Sequence, residues 1–280
     1  MTAKQHFTIL GGRGYIGSYF ARFLDRKGIQ HWTPERDDPE IFTRELGCVV
    51  YCIGMTQDFA KKPVETMDAH VARLMSVLRA ARFNNLIYLS STRLFDGLKG
   101  SVTEQSDLHL NPGNPRHLFD LSKAAGEALC CAMTGLDAIV VRLSTVYDDE
   151  LAGRCFIHEI LRRSLEPQMH TIDVDTSPYT ERDYVHIEDV CLALFQLSER
   201  HSHRIYNLAS GVNISNQRLF EMIRDRTGRT FRATKQGIGS SVPMIDISRM
   251  GNEFQWSPRQ VSDWLAASPA IAPSERKLGL

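Results

Sequence analysis

The sequence has no excess of charge of either sign, and this balance limits its partners. Across 280 residues, 33 Lys and Arg side chains offset 33 Asp and Glu side chains. Proteins that bind nucleic acid or an anionic membrane mainly through charge usually carry a basic excess or a dense basic cluster. We therefore expect neither nucleic acid nor a membrane as a partner, and any positively charged site must be local.

Long apolar runs and paired cysteines are also missing. The longest apolar stretch, residues 49–55, is far too short to span a bilayer. A glycine-rich segment follows the first residues so closely that we expect no secretion signal, and therefore a cytoplasmic protein. The six cysteines lack the paired spacing of a zinc site, so we expect reduced, mostly buried thiols and no bound metal.

A glycine-rich turn is the first informative motif that is present. Residues 7–10 predict a buried strand and residues 18–26 predict a helix, with Gly-Gly-Arg-Gly-Tyr-Ile-Gly between them. Such glycines permit a tight turn and a close approach of the backbone to a pyrophosphate, which the helix N-terminus attracts. The predicted contacts to a dinucleotide come from Gly11, Arg13, Gly14, Tyr15, Ile16 and Gly17.

Two conflicting signals concern the adenosine end of that dinucleotide. Glu35 follows a second short strand, where an acidic residue would bind the ribose hydroxyls of NAD. Arg36 comes next, and either Arg36 or Arg13 could instead meet the 2′-phosphate of NADP, or simply be solvated. The sequence leaves the choice between NAD and NADP open.

Strands and helices alternate along the first half of the chain. Residues 48–54 and 86–89 predict strands, and residues 64–82 between them show a helical period of apolar side chains. This alternation predicts an α/β fold with a parallel sheet covered on both faces. Ligands of such sheets bind beyond the carboxyl ends of the strands, where Ser91 and Thr92 follow the second of these strands.

Five segments together resemble the extended short-chain dehydrogenase/reductase family, also called the NAD-dependent epimerase/dehydratase family. They span most of the chain, at residues 11–17, 90–97, 119–123, 142–147 and 182–189. Residues 94–97 and 122–127 look most like the branch that contains dTDP-4-dehydrorhamnose reductase. The resemblance implies a Rossmann-type doubly wound sheet with a small C-terminal substrate lobe, NAD or NADP as cofactor, and a nucleotide sugar as substrate.

The resemblance also implies roles for four residues. Ser91, with Thr92 as second candidate, would bind the carbonyl or hydroxyl oxygen of the substrate, and Lys123 would hydrogen-bond the nicotinamide ribose. Phe119 stands four residues before Lys123, at the position of the family's catalytic tyrosine. Phenylalanine cannot exchange a proton, and losing general acid–base catalysis costs roughly 3 to 5 kcal/mol of barrier lowering.

Three explanations of Phe119 remain open. The site could be natural and catalytically silent, it could use another group such as Asp120 or Tyr147, or Phe119 could be an engineered substitution that traps a bound substrate. We favour the third, because the remaining apparatus is complete and a Tyr-to-Phe change deletes only one oxygen.

The second half of the chain is expected to bind the nucleotide sugar. By resemblance Arg182 binds the diphosphate, for which a planar fork of donors is suited; the alternative is a structural pair with Asp183 or Asp189. Arg154 is a weaker second candidate. We expect a dinucleotide-binding domain at residues 1–149 with a return segment near 184–209, and a substrate lobe at 150–183 and 210–280.

The sequence differs from the family's usual pattern at two places. His70 stands where the family often has asparagine, and an Asp-Asp pair at residues 148–149 replaces its usual glycine. The resemblance implies a homodimer through helices near residues 67–83 and 118–133.

The expected activity is the reduction of a 4-keto sugar on a nucleotide, with hydride passing between nicotinamide C4 and the sugar carbon. A nucleotide-sugar 4-epimerase is the first alternative, because it would use the same residues. A non-catalytic dinucleotide-binding protein is the second, and Phe119 is its best argument.

Overall fold

A computed structural model describes residues 6–166, 170–235, 237, 239 and 242–267. The strands in these ranges are β1 (Phe7–Leu10), β2 (His31–Trp32), β3 (Cys48–Tyr51), β4 (Asn85–Ser91), β5 (Ser101–Val102), β6 (Ala138–Leu143), β7 (Thr145–Tyr147), β8 (Thr171–Val174), β9 (Glu181–His186), β10 (Ile205–Leu208), β11 (Asn213–Ser215), β12 (Thr230–Ala233) and β13 (Met244–Ile245). The α-helices are α1 (Tyr15–Arg26), α2 (Pro63–Met67), α3 (Arg73–Ala80), α4 (Leu118–Ala132), α5 (Phe156–Ser164), α6 (Ile187–Glu199), α7 (Asn216–Thr227), α8 (Ser248–Phe254) and α9 (Val261–Ala267).

The main sheet has six strands in the order β10, β6, β4, β3, β1, β2, and every neighbouring pair is parallel. The strands β1, β3 and β6 are buried along their whole length, as expected for continuous apolar runs covered on both faces. The edge strand β2 has only two residues. The predicted parallel α/β sheet is confirmed.

Helices cover both faces of this sheet. On one face, Phe20 and Leu24 of α1 share a core with Leu194 of α6. On the other face, Leu74 of α3 and Cys130 of α4 belong to a second core. The parallel connections force this arrangement, because each crossover must pass over one face or the other. The prediction of a doubly wound sheet is therefore confirmed.

A smaller set of elements lies towards the C-terminus. Strands β7, β9 and β11 form a three-stranded sheet, and β8 pairs in parallel with β12. Ile160 of α5, Leu219 of α7 and Leu265 of α9 share a core with Tyr184 of β9. This core is consistent with a separate substrate lobe, whose exact boundaries stay a prediction.

Helices α2 and α3 are joined without a break by a π-helical stretch, Asp68–Ala72. Its central residue, His70, is fully buried. Such stretches insert a residue into a helix and occur often at functional sites. Within the described part of the chain, no helix is long and apolar enough to cross a membrane.

Candidate active site

The glycine turn between β1 and α1 forms one wall of a cavity of about 540 Å³. Gly11 has a φ of 89°, and the amide of Gly14 donates to its carbonyl oxygen over 2.9 Å. A Cβ atom on Gly17 would lie 2.5 Å from that same oxygen. Helix α1 starts directly after this turn, so its N-terminal amides can hold a pyrophosphate, and the cradle fits a dinucleotide.

Charged side chains line the far end of this cavity. Glu35 and Arg13 form an ion pair, and both side chains are mostly exposed. Arg73 reaches the backbone oxygen of Arg36 and the carboxylate of Asp37, and it lowers the pKa of that carboxyl. Glu35, which favours NAD, and Arg13 and Arg36, which favour NADP, therefore all line the same cavity. The choice between NAD and NADP stays open.

Phe119 and Lys123 lie one turn apart near the start of α4, and both are buried. The ammonium group of Lys123 donates to the carbonyl oxygen of Leu89 over 2.8 Å. Burial lowers the pKa of Lys123 to about 8. A Cβ atom on Gly54 would lie 3.4 Å from this ammonium group, and Gly54 lines the dinucleotide cavity. Lys123 thus lies next to a residue that lines that cavity.

His70 links the π-helical stretch to α4. The amide of Met55 donates to Nε2 of His70 over 2.9 Å, so the ring proton is on Nδ1, which faces the Ser122 hydroxyl at 2.7 Å. Ser122 in turn donates to the carbonyl oxygen of Phe119. Burial, reinforced by the charge of Lys123, lowers the pKa of His70 to about 3. The ring is therefore neutral and serves to hold α4.

A second cavity, of about 430 Å³, opens at the carboxyl end of β4. Ser91 and Thr92 both line it, and the Ser91 hydroxyl accepts from the amide of Arg93 over 3.2 Å. The side chains of Arg93 and Arg116 line the same cavity. The structure therefore places both predicted oxygen-binding residues at one cavity, whose lining also contains basic and acidic residues. Arg93 connects this cavity to Phe119, because its guanidinium carbon lies 5.0 Å from the centre of that ring.

The two arginines predicted to bind substrate have different surroundings. Arg182, on β9, lines the second cavity and donates to the side-chain oxygen of Asn216 over 2.9 Å. Its guanidinium stacks on the ring of Phe156. Arg154 donates a hydrogen bond to the side-chain oxygen of Gln57 over 3.2 Å. Among the described residues, Arg154 is not one of those that line this cavity. Arg182 is thus better placed than Arg154 to contact a substrate.

The sequence profile of the NAD-dependent epimerase/dehydratase family matches residues 7–209. The chain belongs to this family. Its cofactor, NAD or NADP, is thereby confirmed as a class, and the family covers the whole of the six-stranded sheet described above.

Individual members of the family are only distantly similar in sequence. A dTDP-4-dehydro-6-deoxy-D-allose reductase of a Streptomyces species is 21% identical over 92% of this chain and 93% of its own length. A UDP-glucose 4-epimerase of Lactobacillus helveticus is 22% identical over 93% and 94%. The solved UDP-glucose 4-epimerase of Thermotoga maritima, with UDP-glucose, superposes with a TM-score of 0.79 at 16% identity, covering 94% and 97%. The chain therefore belongs to a family whose members include sugar-nucleotide reductases and epimerases.

Sequence reasoning about this epimerase/dehydratase family member missed two features of the site. Arg93 was part of a motif, but its contact with Phe119 was not foreseen. Tyr15 donates to the buried carboxylate of Asp148 over 2.5 Å, which ties the glycine turn to the segment after β7. Asp148 was noticed only as a departure from the family's glycine, and that departure was the available signal.

Proposed function

We propose that the protein is an NAD(P)-dependent oxidoreductase that reduces a 4-keto group of a nucleotide sugar. The observation that carries this proposal is that residues of both cavities lie close to the carboxyl end of β4. Gly54, which lines the first cavity, lies close to Lys123. Lys123 in turn donates a hydrogen bond to the carbonyl oxygen of Leu89. Ser91, which lines the second cavity, is two residues after Leu89 on the same strand. A dinucleotide in the first cavity and a sugar in the second would therefore meet at this point.

The roles of the residues follow from this arrangement. When bound, the nicotinamide supplies or accepts the hydride. Lys123, held by Leu89 and protonated below about pH 8, donates to the nicotinamide ribose. Ser91 and Thr92 hold the oxygen of the sugar carbon that changes its oxidation state. Arg182 binds the diphosphate, whose paired oxygens match its planar fork of donors.

The printed names of the relatives support a nucleotide sugar as substrate. One relative is named as a dTDP-4-dehydro sugar reductase and another as a UDP-glucose 4-epimerase, and both names specify chemistry at sugar C4 on a nucleotide. Neither similarity decides between reduction and epimerisation. We favour reduction because the motif at residues 94–97 resembles the reductase branch.

The test is to mix the protein with NADH or NADPH and a dTDP- or UDP-linked 4-keto sugar. A reductase consumes the reduced cofactor in proportion to the product formed. An epimerase interconverts the sugars while the cofactor absorbance stays constant over many turnovers. Tight binding of the dinucleotide without turnover, in this chain and in Phe119→Tyr, would instead indicate a non-catalytic binding protein.

A further inference from the structure

Arg93 lines the second cavity, and none of the proposed roles uses it. It lies two residues after Ser91, in a short 3₁₀-helix, Thr92–Phe95. Its guanidinium carbon is 5.0 Å from the ring centre of Phe119 and 4.8 Å from that of Phe59. The guanidinium therefore lies against the aromatic side chain that replaces the family's tyrosine.

Two polar contacts fix the orientation of this guanidinium. Nε of Arg93 lies 3.1 Å from a carboxylate oxygen of Asp120, and Nη2 donates to the backbone oxygen of Arg116 over 2.8 Å. Asp120 is almost completely buried, whereas the Arg93 side chain is 31% exposed. Within the described part of the chain, Nη1 has no recorded hydrogen-bond partner. A positioned cation with spare donors thus faces the cavity.

We propose that Arg93, held in place by Asp120, binds the reacting oxygen of the sugar together with Ser91 and replaces the tyrosine hydroxyl as its hydrogen-bond donor. This inference rests on the proposed function. It assigns to the Arg93 guanidinium the hydrogen bond that allows reduction with phenylalanine at position 119. It supports the second explanation of Phe119, a different group in the tyrosine's role.

The chemistry balances without a tyrosine. During reduction, a hydride from the reduced nicotinamide dinucleotide forms a C–H bond at the carbonyl carbon. The π electron pair of the C=O bond moves to oxygen, where the guanidinium stabilises the alkoxide. A solvent water molecule then gives a proton to that oxygen and leaves as hydroxide. Arg93 acts only as a hydrogen-bond donor in this step and transfers no proton.

Asp120 is a positioning residue in this scheme. Only 6% of its side chain is exposed, and its carboxylate contacts Nε of Arg93, which lines the cavity. Asp120 follows Phe119 on α4, and Arg93 contacts both of them from the 3₁₀-helix. The three residues therefore pack together.

The test is chemical rescue of Arg93→Ala with guanidinium ion, at concentrations too low to unfold the protein. We expect kcat for 4-keto sugar reduction to fall about 100-fold, as for loss of one oxyanion donor, while the Kd for NAD(P)H, measured by calorimetry, changes less than about two-fold. Guanidinium should restore at least about ten-fold of the loss, and methylammonium should restore much less. Arg93→Met, which preserves packing between the rings, should show the same loss, and Arg82→Met on the surface should show none.

Three outcomes would overturn the inference. Activity of Arg93→Ala within about three-fold of the parent would show that Arg93 is not needed. A loss without rescue, accompanied by weaker NAD(P)H binding, would show a structural role. If the parent chain and Phe119→Tyr both bind NAD(P)H but reduce no nucleotide-linked keto sugar, the proposed function and this inference both fail. An active parent chain combined with either of the first two outcomes overturns the inference alone.

Discussion

At the scale of single residues, Phe119 is the position at which substitutions test turnover most directly. The ring is packed by His70, Phe59 and Arg93, and Lys123 lies one helical turn away. The ring is thus enclosed by aromatic and basic side chains, although it has no hydroxyl of its own. The consequences can be measured by substitutions of individual residues.

Adding a hydroxyl at position 119 is the first such substitution. We expect Phe119→Tyr to raise the rate of hydride transfer at least about ten-fold, because a general acid typically contributes more than this. Single-turnover absorbance of the nicotinamide measures the rate directly. A smaller rise would mean that the missing hydroxyl was not the limiting defect. Phe59→Tyr, which adds a hydroxyl to the neighbouring ring, is the matched control and should not raise the rate.

Glu35 should control the choice between NAD and NADP. Its carboxylate repels a 2′-phosphate, and its pairing with Arg13 occupies a cation that could bind one. We expect Glu35→Ala to shift the ratio of the two dissociation constants at least about ten-fold towards NADP, which is about 1.4 kcal/mol. Calorimetric titrations of both dinucleotides measure this ratio. Glu45→Ala, which removes a similar exposed ion pair with Arg82 outside the cavity, should leave it unchanged.

Lys123 should make the stability of the protein depend on pH. Burial lowers its pKa to about 8, whereas an unfolded lysine keeps its proton to about pH 10.4. Between these values the unfolded state binds more protons, so stability rises with pH. Relative to Lys123→Met, the unfolding free energy of the parent should therefore increase between about pH 8 and pH 10. Urea unfolding of both proteins at several pH values tests this, and parallel pH curves would refute it.

At the scale of elements, the Tyr15–Asp148 contact joins the start of α1 to the segment after β7. The buried Asp148 carboxylate accepts from the Tyr15 hydroxyl and from the amides of Ala152 and Gly153, at 3.0 and 3.2 Å for the amides. This one carboxylate therefore shapes the segment that precedes Arg154 and anchors it to the dinucleotide site.

Removing that carboxylate should be costly. We expect Asp148→Ala to lower the unfolding free energy by about 2 to 4 kcal/mol, because three donors, of which the Gly153 amide is buried, lose their acceptor. Tyr15→Phe should cost less, since it leaves both amides paired. Urea unfolding measures both values. Asp225→Ala, at an exposed pair with Arg224, should stay within about 0.5 kcal/mol of the parent, and an equal loss there would remove the argument.

Local sequence patterns predict some of these elements and contacts but not others. The glycine turn, the main strands and the helix that carries Lys123 were predictable, because glycine placement and apolar periodicity are local signals. The π-helical stretch was hidden, because one inserted residue barely disturbs that periodicity. The contact of Tyr15 with Asp148 and that of Arg93 with Phe119 join residues far apart in the chain, and they depend on side-chain directions that no local pattern encodes.

At the scale of the whole molecule, α3 and α4 lie on the same face of the sheet, and α3 carries an exposed apolar side chain, Met75. By family resemblance we propose that this face forms a homodimer. Sedimentation should then detect a dimer that Met75→Glu dissociates. Leu192→Glu, at a similarly exposed apolar residue of α6 on the opposite face, is the matched control and should remain dimeric. A monomeric parent would contradict the proposal.

The packing of α1 against α6 has a consequence for synthesis of the chain. The apolar side of α1, including Phe20 and Leu24, is covered by a helix that emerges from the ribosome much later, Ile187–Glu199. At usual elongation rates, roughly 10 to 35 seconds separate the two helices. During that interval the nascent chain presents an uncovered aromatic surface next to an unfinished sheet. The protein should therefore depend on chaperones while it is being translated, even if the finished molecule is stable without them.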